Sequence, residues 1–238
     1  MKKGMSNLVA TIIVAALAIL VIGGLIWAAV ANKKSIDYSK YDINTIISAN
    51  EDNGNIGDHV KGNPDAPVVI FEYADYQCSA CSVANPRVNK IVKEFGDDLA
   101  VVYRNFLLSY HQNGTAAASA AEAAGKQGYW EEYANKLFTN QSVWSSASGD
   151  SRTDIFLDFF RNVTDGKGNE AQFVTDMKSE DVKNKLNFDA GISKGLDIPG
   201  TPAFYLDGER IDFSSAKNEE EFLNLFRDKI NAKLGKKN

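Results

Sequence analysis

An α/β fold with one transmembrane helix ahead of it is predicted by three features of this 238-residue chain. A strand–helix–strand pattern runs from Val68 to Phe106, an almost wholly helical stretch runs from Gly114 to Gly195, and strand patterning resumes after Pro202 before a last amphipathic helix. The N-terminal segment is a separate, purely apolar run.

That run, LVATIIVAALAILVIGGLIWAAVA from Leu8 to Ala31, carries no charge and is flanked by Lys2–Lys3 and Lys33–Lys34. As a helix it would be about 36 Å long, against a hydrocarbon core of roughly 30 Å. Residues 1–34 therefore read as a short tail with a membrane anchor at about 8–31. A cleaved signal peptide is the alternative, because Ala29-Val30-Ala31 has small–x–small spacing, but the run is longer than a usual signal-peptide core. Lysines on both flanks leave the orientation open. Residues 35–66 are rich in Asn, Asp, Gly and Ser and read as a polar linker, and 67–238 as the folded domain with a helical insertion at about 114–195.

The domain opens with VVIFEY (Val68 to Tyr73), a β-branched and aromatic run after the turn-forming Asn63-Pro64-Asp65, which reads as a strand buried on both faces. Cys81 to Phe95 follows with Val83, Val88, Ile91, Val92 and Phe95 at roughly helical spacing, and Gly96-Asp97-Asp98 ends it. LAVVYRNF (Leu99 to Phe106) is the second strand, so the unit implies parallel strands and a right-handed crossover. The insertion contains TAAASAAEAAGKQG, YWEEYANKLF, DIFLDFFRNV and two amphipathic stretches across Glu170 to Lys194. AFYLDGERI then carries the Asp207-Gly208 hairpin signal, and Asn218 caps a helix with Phe222, Phe226, Ile230 and Leu234 along one face.

Composition narrows the function classes. A net charge of −5 without a sustained basic block argues against nucleic acid as a partner. Two histidines, His59 and His111, and two cysteines are too few and too scattered for a four-ligand zinc site, so no metal is expected. No sequence feature calls for a cofactor.

Both cysteines stand together in FEYADYQCSACSVANP, at Cys78 and Cys81, where a strand gives way to a helix. Near a βαβ pattern this spacing reads as a redox pair. A thiolate is the nucleophile, and a helix N-terminus surrounds Cys78 with unpaired backbone N–H groups and the positive end of the macrodipole. Cys81, one turn inside, is the less exposed partner that resolves a mixed disulfide. As a structural staple the pair would close too small a loop to remove much chain entropy. Pro202, before the strand AFYL, marks a strand start or a bend.

GNPDAPVVIFEYADYQCSAC, HQNGTAAASAAEAAGKQGYWEEYANKLF and GLDIPGTPAFYLDGERI together resemble the membrane-anchored or secreted DsbA-like thiol-disulfide oxidoreductases across most of residues 57 to 235. The resemblance implies a thioredoxin-like fold with an inserted helical subdomain, and a cis-proline loop facing the cysteines. Thr201 and Pro202 would then border the site, with the Thr201 backbone pairing with an extended substrate segment. It further implies that Glu72, six residues before Cys78, carries a proton for the resolving cysteine; the alternative is a solvent-facing strand residue. Many such proteins have proline where this chain has Ser79, and strong oxidants have histidine where it has Ala80, so a less oxidising pair is expected. His111 and Trp130 read as core or groove residues without an assigned role.

The expected function is therefore disulfide introduction into cysteine-containing exported proteins by a single-pass membrane protein whose catalytic domain lies outside the cytoplasm, or a secreted one if the N-terminal segment is removed. The resemblance implies reoxidation by a membrane partner of the DsbB or VKOR type. Two alternatives stay open: a reductase or isomerase of the same fold, and a tethered chaperone or binding module in which the cysteines are incidental.

Overall fold

The computed structural model describes residues 2–31, 35–196 and 198–236, and within the first helix the side chains of residues 9–24. Two units result, Met1–Asp37 and Tyr38–Asn238. The first is built on α1 (Lys2–Ala31), whose side chains from Val9 to Gly24 are all exposed. Among the described residues no helix is long and apolar enough to cross a membrane. The span expected at about 8–31 runs past the described side chains at both ends, and its flanking Lys33–Lys34 lies outside the described residues.

The second unit is organised on a five-stranded sheet. Its strands are β1 (His59–Gly62), β2 (Val68–Ala74), β3 (Leu99–Asn105), β4 (Ala203–Leu206) and β5 (Glu209–Arg210), in the order β1-β3-β2-β4-β5. β2 and β3 run parallel, Val68 opposite Leu99 and Ala74 opposite Asn105, and α2 (Ser79–Phe95) forms the crossover between them. β4 runs antiparallel to β2, with Phe204 opposite Glu72, and returns through Asp207 and Gly208, both at positive φ, into β5. That left-handed pair is the backbone a tight two-residue hairpin needs.

Sequence explains which face each strand presents. Val68, Ile70, Val101, Phe204 and Leu206 meet Val88 and Ile91 of α2 and Phe222, Phe226 and Ile230 of α9 (Glu219–Lys233), whose N-cap Asn218 accepts from the Glu221 N–H. Phe71, Tyr73, Val102 and Tyr205 form a smaller cluster on the opposite face. Between β3 and β4 lie α3 (Gly114–Gly125), α4 (Trp130–Thr139), α5 (Gln141–Trp144), α6 (Gly149–Val163), α7 (Glu170–Asp176) and α8 (Glu180–Ile192), the expected helical insertion. Their core is the buried alanine face of α3 against Tyr133, Leu137, Phe156, Phe160 and Phe173. Small residues on one helix let aromatic neighbours approach closely.

The segment expected to be a stalk is the main difference. Residues 38–62 pack into the domain and end in the edge strand β1, antiparallel to β3. Arg104, fully buried, holds them: its Nη1 donates to the Ile43 carbonyl at 2.7 Å, and its Nη2 to the Thr45 carbonyl and to Asp58 Oδ2, both at 2.8 Å. Lys185 of α8 donates to Asp58 Oδ1 at 3.3 Å and to Asp189 Oδ1 at 2.8 Å, so the charges are paired where water is absent. Tyr41 meets Phe188 edge-on at 4.8 Å, and Tyr38 lies so close to Gly191 that a Cβ there would fall 2.0 Å from its ring. Polar composition misled because side-chain anchors, rather than apolar periodicity, hold this arm.

Candidate dithiol site

Cys78 occupies the N-cap of α2 in an extended conformation, with its side chain free of any capping role. Its own N–H donates to the Asp75 carbonyl at 3.0 Å, and its carbonyl accepts from the Ser82 N–H at 3.1 Å, so the chain turns directly from β2 into the helix. Both cysteines are free thiols; Cys81 is fully buried and Cys78 is 9% exposed, next to exposed Ser79 and Ala80. The Cys78 thiol donates to the Thr201 carbonyl oxygen at 3.2 Å, and the Thr201–Pro202 peptide is cis. The structure thus brings Cys78, Cys81, Thr201 and Pro202 together from opposite ends of the domain.

The environment separates the two thiols chemically. Hydrogen bonding from the Cys81 thiol lowers Cys78 to about 5, against the opposing cost of burial, and Thr201 and the backbone N–H groups of Cys81 and Ala80 help. The Thr201 hydroxyl is buried without a hydrogen-bond partner and is a donor that lowers Cys78 when its thiolate forms. Cys81 is pushed far up, first by burial and then by the adjacent Cys78. One sulfur is a nucleophile at neutral pH and the other holds its proton.

Glu72 is buried on β2, the strand that leads to Cys78, between Tyr103 and Phe204 of the neighbouring strands. The solvent-facing alternative is therefore excluded. Burial raises its carboxyl to about 7, partly offset by the nearby Lys61 ammonium, and its Oε1 has no hydrogen-bond partner. Burial raises the hydroxyl of neighbouring Tyr103 well above its ordinary value, and the charges of Tyr76, Cys81 and Glu72 add to that.

Several residues that position the site were not anticipated. Asp75 is wholly buried; its Oδ1 accepts from the Gln77 N–H at 2.8 Å, and its Oδ2 from the Leu108 N–H at 2.9 Å, with His111 Nδ1 also at 2.9 Å. Gly114 closes over it, since a Cβ there would lie 2.8 Å from Asp75 Oδ1. Gln141 of α5 donates to the carbonyls of Tyr76 at 2.8 Å and Cys78 at 3.0 Å, which ties the insertion to the thiol loop. Trp130 donates to the Tyr76 hydroxyl at 3.1 Å and stacks on His59 at 4.5 Å. Asp75, three residues before Cys78, is the one of these that local turn chemistry signals. No group of side chains able to hold a metal ion occurs among the described residues.

A thiol at a strand-to-helix junction, a buried second thiol one turn below and a cis-proline loop across from them define a dithiol protein of the thioredoxin fold. The Thioredoxin family model matches residues 54–226, and the chain belongs to that family. It is similar to BdbD from Bacillus subtilis, with a TM-score of 0.61, 20% identity and coverage of 82% of this chain and 100% of that one. The thiol-disulfide exchange protein alpha-DsbA2 from Wolbachia pipientis is similar with a TM-score of 0.58 and 16% identity, over 73% of this chain and 85% of that one. At such identities the likeness is one of fold. A Na(+)/H(+) antiporter NhaA 1 from Mycolicibacterium gilvum (strain PYR-GCK) is 34% identical over 158 residues, which are 64% of this chain and 24% of that protein. The match thus spans about a quarter of the curated relative's length.

Proposed function

We propose that this protein is an extracytoplasmic thiol-disulfide oxidoreductase that introduces disulfides into cysteine-containing exported proteins. The observation that carries the reading is the asymmetry of the pair: Cys78 stands at the N-cap of α2 with its thiol 3.2 Å from the Thr201 carbonyl oxygen, and Cys81 is fully buried one turn inside, a setting that lowers Cys78 to about 5 and raises Cys81. In the cycle a substrate thiolate attacks Cys78 in the oxidised pair, and the Cys81 sulfur leaves. A second substrate thiolate then attacks the substrate sulfur of the mixed disulfide, so the substrate loses two electrons and Cys78 departs as a stable thiolate. Thr201 and Pro202 form the wall along which an extended substrate lies, and Glu72 gives Cys81 its proton as that sulfur leaves.

Residues 38–238, with the helical insertion between β3 and β4, form the catalytic domain, and residues 1–34 carry the anchor. Exposed apolar side chains of α1, such as Ile19 and Leu20 at 71% each, support a lipid setting for that helix. The reduced pair is reoxidised by a membrane partner of the DsbB or VKOR type. Disulfides persist outside the cytoplasm, and that chemistry sets the orientation.

A reductase or isomerase of the same fold is the second reading, favoured by exposed Ser79 and Ala80, which bring neither charge nor stiffness to the thiolate. Oxidation of a reduced, unfolded protein by the oxidised domain tests the proposal. The wild type drives it, Cys78→Ser and Cys81→Ser both abolish it because neither can form the disulfide, and Cys81→Ser given a disulfide-bonded protein accumulates a mixed disulfide through Cys78 as the attacked sulfur leaves. Binding of the unfolded protein without its oxidation by the wild type, and equal binding by Cys78→Ser, would show a binding module instead. Glu72→Gln slows exchange and flattens its pH profile; an unchanged profile removes Glu72 from the mechanism.

A further inference from the structure

Further along α2 from the dithiol, Asn85 and Asn89 belong to a polar cluster with Lys61 and Asn135. Lys61, on β1, is 2% exposed, and its Nζ donates to Asn85 Oδ1 at 2.6 Å and to Asn89 Oδ1 at 2.7 Å. Both asparagines belong to α2, the helix that begins at the cysteines. Their Nδ2 groups donate in turn to a single acceptor, Asn135 Oδ1 on α4 of the insertion, at 2.9 Å and 2.8 Å.

The chemistry of an amide gives this arrangement a direction. Each asparagine presents either an acceptor or two donors to a neighbour, and a buried ammonium needs acceptors. Because Asn135 Oδ1 takes one N–H from each, both amides are turned with their carbonyl oxygens toward Lys61. A leucine at Asn135 would free the two amides to flip and offer their donor ends to the cation. Register places Lys61 beside Val101, Val101 beside Ile70, and Glu72 two residues beyond Ile70 on the same face of the sheet. Lys61 is accordingly the charge that offsets the burial of Glu72.

We propose that Asn135 is a positioning residue of the redox site: by orienting Asn85 and Asn89 it holds the Lys61 ammonium beside Glu72, so that the helical insertion sets the proton affinity of that carboxyl. The inference rests on the reading of Glu72 as proton carrier. Other groups that act on this pair are Tyr103 from β3, Tyr76 from the loop before α2, and Glu131 at the start of α4, whose charge favours the Lys61 ammonium. Phe204 from β4 and the amides of α2 bring no charge.

The geometry makes a three-step chain from insertion to carboxyl. Loss of the Asn135 acceptor leaves Lys61, already less basic through burial, without oriented partners. Its ammonium is then destabilised, Glu72 loses its counter-charge, and the neutral carboxylic acid persists to higher pH.

Infrared titration of the Glu72 carboxyl in the reduced full chain, with Glu72→Gln as the blank, tests this. Asn135→Leu raises the midpoint from about 7 by about one pH unit, a tenfold change in proton affinity. Asn89→Leu raises it in the same direction by less and serves if Asn135→Leu does not fold, while Asn135→Gln, which keeps an uncharged amide acceptor, stays closer to the wild type than Asn135→Leu. Wild-type midpoints in both leucine variants would overturn the proposal. Failure of the proton-carrier reading is separate, because it shows as an exchange rate whose pH profile is unmoved by Glu72→Gln, whatever the carboxyl midpoints do.

Discussion

Cys78 Sγ lies 3.2 Å from the Thr201 carbonyl oxygen, a contact that joins positions 123 residues apart. The loop that bears Thr201 enters β4, which pairs with β2, and β2 leads into Cys78. Opposition of thiol and proline loop is therefore a consequence of sheet register rather than of local sequence.

The unpartnered Thr201 hydroxyl gives the first prediction. Thr201→Val keeps the shape and removes the donor that the Cys78 thiolate would use. The Cys78 midpoint, followed by ultraviolet thiolate absorbance, should rise from about 5 by about half to one unit. An unchanged midpoint would assign the lowering to Cys81 and the helix N-terminus alone.

A second prediction concerns pH and stability of the reduced protein. Cys78 has a folded-state value near 5, below that of an unfolded cysteine. Its thiolate contributes stability that is fully present above the unfolded value and is lost as pH falls through about 5. With the site partly open to solvent the contribution is discounted to about 2 kcal/mol. Denaturant unfolding of the reduced form should show this rise with pH, and Cys78→Ser should remove that share of it. Alkylation near neutral pH should modify Cys78 and spare buried Cys81.

The arm at residues 38–62 supplies the third. Gly191→Ala puts a methyl 2.0 Å from the Tyr38 ring and should cost about 1–3 kcal/mol, with the loss reduced in a Tyr38→Ala background. Asp58→Asn leaves Arg104 and Lys185 short of a buried counter-charge and should cost about 3–5 kcal/mol. Thermal melts of the full chain read both. Loss of less than about 0.5 kcal/mol in each would mean that the arm is no part of the folded unit.

Much of this was legible in sequence because the relevant signals are local. The apolar run of β2, the helical spacing of α2, the Asp207-Gly208 turn and the Asn218 cap each act within a few residues. Arg104 and Asp58 were not legible: they are a strand residue and a loop residue whose pairing exists only once β3 has closed against the arm. Lys61 and Asn135 escaped for the same reason, since a lysine on a short strand and an asparagine in a helix are ordinary surface residues until the fold buries one against the other. The cysteines stood out because their chemistry requires a fixed spacing, whereas Asp75, Gln141 and Tyr103 serve the site through contacts that any fold must first create.

As the stabilised thiolate of a working redox couple, Cys78 favours the reduced pair and makes its disulfide oxidising. The most direct test is the reduction potential of Cys78/Cys81 in the full chain, by equilibration with glutathione buffers. A potential between about −120 and −200 mV is expected, because Ser79 and Ala80 add no further charge to a site already favouring the thiolate. A value near about −270 mV would contradict it and identify a reductase.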